Sequence, residues 1–111
     1  MRIEVRKKGL KQAVIITFHT KNFNSDYERS KFFRELHGWK QTVPRENKKY
    51  FYRRKGVLDE VPHVKIADSV FMVAMENMRR MMDFFDEWED KVECDMMEIL
   101  LSREKLRRLK L

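Results

Sequence analysis

Residues 13–18 read AVIITF, a nearly unbroken apolar run in which four of six residues are β-branched. A run of that kind predicts a strand buried on both faces at the centre of a sheet. Ahead of it, Ile3 and Val5 alternate with Arg2, Glu4 and Arg6, which predicts a short half-exposed strand, and Lys7-Lys8-Gly9 reads as a turn. Ser25 and Glu28 then stand at capping-box spacing, with the Ser25 hydroxyl placed to accept from the Glu28 N–H and the Glu28 carboxylate from the Ser25 N–H. Phe32, Phe33 and Leu36 share one helical face. Gly38 sits where a left-handed residue closes a helix, with Trp39 able to pack back on the last turn, so a helix is predicted over 26–37.

Residues 39–43 predict a short strand stopped by Pro44, and 45–48 have turn composition. Residues 49–55 alternate as a strand would until Gly56, and 59–62 read as a loop. A second apolar run, Val70 to Met75, predicts another inner strand. Phe71, Met75, Met78, Met82 and Phe85 also fit one long helix from Ser69, and Val92, Met96, Ile99 and Arg103 fit helical spacing. The Val and Phe content favours strand over 69–75, and Asn77 suits a helix start. Met78, Met81, Met82, Phe85 and Trp88 predict an amphipathic helix to about Glu89. Val92, Cys94 and Met96 alternate as in a last strand, and a helical tail from Ser102 sets Leu106 and Leu109 among cations. The order predicts an α+β, ferredoxin-like βαββαβ sandwich: an antiparallel sheet with two helices on one face, an extra N-terminal strand and a C-terminal helical tail. Residues 1–101 are expected to form a single α+β domain, with 102–111 as a basic helical tail.

Composition changes this picture little, but charge does. The chain has 111 residues, 42% of them hydrophobic, which suits one domain with a real core. Charged residues make up 39% and Gln, Gly and Pro are scarce, as in thermophilic proteins. No apolar run reaches the roughly 18 residues of a membrane span. The segment MRIEVRKKGL lacks the apolar stretch of a secretory signal, and Cys94 alone allows no intramolecular disulfide. The expected setting is the cytoplasm, without a membrane partner. The net charge of +7 divides unevenly along the chain. Residues 1–56 hold sixteen Lys and Arg against five Asp and Glu, residues 57–101 four against twelve, and residues 102–111 five against one. Such asymmetry points to a polyanionic partner or to self-association of unlike surfaces.

The segment KKYFYRRK carries the most specific chemistry. In a strand, Lys48, Tyr50, Tyr52 and Arg54 share one face, and Lys49, Phe51, Arg53 and Lys55 the other. On a sheet covered by helices on one side only, the tyrosine face becomes a base-stacking platform flanked by phosphate-binding cations, with Phe51 turned to the core. The plain alternative is a solvated strand whose Lys and Arg protect an edge. The interleaving resembles that of RNA-recognition-motif strands, whose glycine-bearing signature is absent here. The expected nucleic-acid contacts, to RNA or single-stranded DNA, are Lys48, Lys49, Tyr50, Tyr52, Arg53, Arg54 and Lys55, with Arg103, Arg107 and Arg108 of the tail.

Three other groupings point less far. Asp83, Asp86 (or Glu87) and Asp90 lie close on one helix side, where a solvated face is the ordinary reading, and a Mg²⁺ or Mn²⁺ site or a docking surface for the basic half of a second copy are the alternatives. The methionines of 72–97 read mainly as core. The doublets Met81-Met82 and Phe84-Phe85 widen the apolar stripe beyond one core face, so Met81 and Phe84 are candidate homodimer contacts. His19, His37 and His63 are dispersed, and no zinc spacing, catalytic constellation or Gly-rich phosphate loop exists, so no catalytic residue, metal or cofactor is assigned. Length and strand order are similar to those of small ferredoxin-like CRISPR-associated nucleases, which carry an aspartate just after the first strand. Here Phe18-His19-Thr20-Lys21-Asn22 offers no carboxylate, and none follows before Asp26. The expected function is therefore nucleic-acid binding without catalysis. A homo-oligomeric interaction module is the second reading and a metal-dependent nuclease the third.

Overall fold

The computed structural model describes residues 9–111. The strand expected at Ile3 and Val5 lies outside the described residues, as do Lys7 and Lys8 of the turn after it. The elements are β1 (Leu10–Thr20), α1 (Asp26–His37), β2 (Trp39–Arg45), β3 (Lys48–Arg54), α2 (Val57–Glu60), β4 (His63–Ala67), β5 (Val70–Ala74), α3 (Met78–Glu87, after a 3-10 turn at Met75–Asn77), β6 (Val92–Ser102) and α4 (Arg103–Arg108). This is an α+β fold. The described residues up to Lys21 form one compact unit with Pro62–Leu111, and Asn22–Val61 form a second.

The first unit holds an antiparallel sheet in the order β4-β5-β1-β6. The AVIITF run is central, as its composition requires. It pairs with β5 from Ala13↔Ala74 to Thr17↔Val70 and with β6 from Leu10↔Ser102 to Thr20↔Val92. Side chains alternate across the sheet, and each face has its own cover. On one face, Phe85 of α3 lies 5.5 Å from Phe18 and 6.4 Å from Phe71 between ring centroids, and Phe84 meets Phe85 edge-on at 5.2 Å. On the other, Leu106 of α4 is buried with Ala13 and Met72, and Ile15, Val64, Ile99, Leu101, Leu109 and Leu111 pack around them. α3 and the tail helix α4 thus cover opposite faces of this sheet; of the two helices expected on one face, 26–37 and 76–89, only the second belongs to this unit. The tail docks because its leucines find an apolar sheet face, and because Ser102 caps it by accepting from the Lys105 N–H at 3.0 Å.

The strand reading of 69–75 holds, since Val70–Ala74 is β5 and Phe71 to Ala74 are buried. The second apolar stripe is also used up internally. Met81 and Phe84, read as homodimer contacts, are 0% and 3% exposed and belong to the core. β4 was not foreseen in the sequence. It is a short edge strand whose register shifts between Lys65 and Ala67, leaving Ile66 exposed.

In the second unit, α1 begins and ends as its caps dictate. Ser25 Oγ accepts from the Glu28 N–H at 3.2 Å, but the Glu28 carboxylate reaches back to the Asn24 N–H at 3.1 Å rather than to that of Ser25. Phe32 and Leu36 are buried. Gly38 closes the helix at φ 80°, ψ 176°, donating its N–H to the Arg34 carbonyl at 2.7 Å. This is positive φ with an extended ψ, outside the left-handed helical region and open essentially to glycine alone. β2 continues through Pro44 to Arg45 and, among the described residues, pairs only with β3 in a two-stranded sheet. Proline is tolerated on an edge of this kind. Its turn places Glu46 at φ 55°.

A polar knot closes the unit. Arg53 Nη2 donates to the His37 carbonyl at 2.9 Å and to both Asp59 carboxylate oxygens at 2.9 and 3.1 Å, while Nη1 donates to the Arg54 carbonyl at 3.1 Å. The Gly56 N–H donates to Asp59 Oδ2 at 2.7 Å. These bonds tie the end of α1 to the end of β3. They also wind residues 57–60, of which 59 and 60 were expected in a loop, into the single helical turn α2.

Candidate nucleic-acid interface

The hairpin gathers the charges that the sequence set close together. Every residue of β3 is exposed, so Lys48, Lys49, Tyr50, Phe51, Tyr52, Arg53 and Arg54 all reach the surface, followed by exposed Lys55. The register opposes Arg45 to Lys48 and Lys40 to Arg53. Directly opposed like charges weaken a strand pair. For Arg53 the Asp59 carboxylate offsets the repulsion. For Arg45 and Lys48 no such anion is bound among the described residues. A polyanion laid on the hairpin would relieve what the fold leaves uncompensated.

The two faces are not equally open. Trp39, Gln41 and Val43 lie opposite Arg54, Tyr52 and Tyr50, and all three are half-buried. Tyr52 and Tyr50 are 41% and 43% exposed, and Phe51 57%. Phe51, expected in the core, therefore stands on the more open face, beside Lys49 and Arg53 and opposite Thr42. The reason is that, among the described residues, β3 pairs with β2 and not with the main sheet, so the Phe51 face has no sheet core to enter. Lys40 Nζ sits 4.1 Å from the Phe51 ring centroid, and Arg54 lies 5.7 Å from that of Tyr52 while donating to Gln41 at 2.6 Å. Each ring is thus held under a cation in the geometry of a cation–π pair. Period-two alternation identified the two faces but not which was covered, so Lys40 and Phe51 went unmarked as surface chemistry.

No family model matches this chain, and no curated protein or solved structure is significantly similar to it.

The remaining candidates fall elsewhere. Arg103, Arg107 and Arg108 are exposed on α4 of the other unit, with Arg108 held to Glu104 at 2.7 Å. On α3, Asp83 pairs with Arg79 at 3.4 Å. Glu93 receives His19 at 2.8 Å and Lys21 at 3.6 Å. Among the described residues no group of three His, Cys, Asp or Glu side chains is placed to hold a metal ion, and no helix is long and apolar enough to cross a membrane.

Burial pushes the Cys94 thiol up to about 12, and the nearby Asp95 and Asp86 carboxylates push the same way. A nucleophilic cysteine needs the opposite environment, so Cys94 stays a thiol at neutral pH. Because the folded chain holds this proton more tightly than the unfolded one, the stabilisation is complete below the ordinary thiol value. It is lost as pH rises towards 12.

Proposed function

We propose that the protein binds single-stranded nucleic acid, RNA or DNA, through the β2–β3 hairpin, and acts by binding without a catalytic step. One observation carries the reading: a strand exposed at every residue, followed by Lys55, sets five cations around three exposed aromatic rings. Cations provide sequence-independent phosphate contacts, and rings provide stacking that any base can use. The basic tail adds a second cationic surface. The strand order β4-β5-β1-β6, with α3 between β5 and β6, supports a ferredoxin-like arrangement in which the Asn22–Val61 unit occupies the first crossover. A lone, protonated thiol suits a reducing, cytoplasmic setting.

The test is a titration with single-stranded and duplex RNA and DNA at two salt concentrations. Affinity for single strands is expected to fall roughly a thousandfold between 50 and 200 mM salt if about six phosphates are contacted. Phe51→Ala is expected to weaken single-strand binding by about 1–3 kcal/mol, more than either tyrosine substitution does, because its ring is the most open. Salt-independent binding, or no binding, would exclude this function.

A second reading, a homodimer, rests on β6. This strand keeps a regular register over its whole length, and among the described residues it pairs with β1 alone. Long regular edges recruit further strands unless something blocks them. The bulge in β4 is such a block, and β6 has none. Antiparallel pairing of two β6 strands about Met97 would set Asp95 opposite Ile99 and Glu93 opposite Leu101, keeping the acids apart. The expected result is a dimer by light scattering that persists in high salt and that Met97→Lys converts to folded monomers. A wild-type monomer at all concentrations removes this reading.

A further inference from the structure

The exposed side of α1 carries Tyr27, Lys31, Arg34 and Glu35, spaced so that all four fall on one face, opposite buried Phe32 and Leu36. Together with Trp39 and Lys55 they line a cleft of ≈ 270 Å³ within the Asn22–Val61 unit. That is slightly below the range of pockets for drug-sized ligands, and so suits one small group rather than a strand passing through. Arg34 sits over Trp39, its guanidinium carbon 4.7 Å from the ring centroid. Such a cation–π contact restrains the guanidinium, whose planar fork of N–H donors matches a phosphate. Among the described residues no ion pair engages Lys31, Arg34 or Lys55. Three cations against the single carboxylate of Glu35 leave the lining two positive charges in excess.

We propose that this cleft receives a terminal phosphomonoester of a nucleic-acid strand, with Arg34, Lys31 and Lys55 on its oxygens. The charge selects the ligand class. A phosphomonoester carries about −1.5 to −2 at pH 7, matching the cleft, whereas an internal phosphodiester carries one negative charge. Lys55 directly follows β3, so a strand whose end is seated here continues onto the hairpin. The proposal thus deepens the binding function and rests on it: the hairpin holds the strand, and the cleft reads its end.

The experiment compares three otherwise identical single-stranded decamers, carrying a 5′-phosphate, a 3′-phosphate or hydroxyls at both ends, by fluorescence anisotropy at constant salt. One phosphorylated form should bind about tenfold tighter than the hydroxyl form. Lys31→Ala should abolish that difference while leaving affinity for the hydroxyl decamer unchanged. Equal affinity for all three decamers overturns the cleft and leaves the hairpin reading intact, as does a preference that survives Lys31→Ala. If no decamer binds, the hairpin reading fails and adenosine monophosphate tests the cleft alone, followed at the Trp39 indole N–H resonance. Saturable binding that Lys31→Ala weakens sustains a phosphomonoester site filled by free nucleotide, and no shift at any concentration removes the site.

Discussion

Replacing Gly56 with alanine is expected to lower stability by about 3 kcal/mol or more, among the largest effects of any single methyl group in this chain. Backbone strain is not the cause, because Gly56 sits at φ −97°, ψ 178°, which any residue adopts. The cause is space. An added Cβ would overlap the Gly38 nitrogen and come within 2.6 Å of the His37 carbonyl carbon and the Leu36 oxygen. All three are backbone atoms at the end of α1, and none can swing aside as a side chain would. Gly38→Ala fails differently. Its φ of 80° is strained for alanine, and its Cβ would come within 2.5 Å of Arg53 Nη1, Arg54 O and Asp59 Oδ2, of which only the two side-chain atoms can yield. Arg53→Ala should cost only about 1 kcal/mol, since that guanidinium is half exposed and solvent screens its ion pair. Thermal unfolding followed by circular dichroism separates these cases. About 4 °C per kcal/mol is expected for a chain of this size, so Gly56→Ala should melt about 12 °C below wild type. A shift under 2 °C would mean that the close approach of Gly56 to α1 does not exist.

Leu106→Ala is expected to cost about 2–5 kcal/mol, and removing residues 103–111 more. Leu106 is 3% exposed and shares its cluster with Ala13 and Met72, so truncation opens a cavity against the centre of the sheet. The exposed Arg107 one position on should tolerate alanine within about 0.5 kcal/mol. Urea denaturation of the two variants decides the matter. Equal midpoints would show α4 to be an undocked basic tail. A large gap would make it the lid of one sheet face, with its cations held on a rigid support.

Much of this fold was legible where a local rule agreed with the tertiary environment. Ser25 and Gly38 delimit α1 to the residue, and AVIITF announces the central strand. Val70, Phe71 and Val73 decide for strand against a competing helical period, because β-branched and aromatic side chains fit a doubly buried strand. Legibility ends where structure depends on distant partners. Residues 57–60 become a turn of helix because Asp59 caps Gly56 and holds Arg53, a constellation no window of sequence displays. β4 offers only Val64 and Ile66 as a signal, and the register shift turns Ile66 outward. Met81 and Phe84 looked surplus to one core face, but the packing uses them all. At the candidate site the residue list was readable and the orientation was not: alternation separates Tyr50 and Tyr52 from Phe51, yet only the absence of β3 from the main sheet puts Phe51 outside.

The pairing of β1 with β6 also governs how the chain reaches its folded state. Leu10 finds Ser102 and Thr20 finds Val92, so the longest ladder joins segments separated by most of the chain. The hairpin and the knot beside α1 involve only residues 22–61 and can form from local encounters. Loop closure makes distant strand pairing the slow step. During synthesis the AVIITF segment leaves the ribosome ahead of β5 and β6 and waits for each in turn before both of its edges are satisfied. Over that interval it is an unpaired apolar strand open to the wrong partner. The vulnerable moment for this protein is thus its making: a substitution that delays β6 would lower yield through aggregation of nascent chains even where the finished molecule is as stable as wild type.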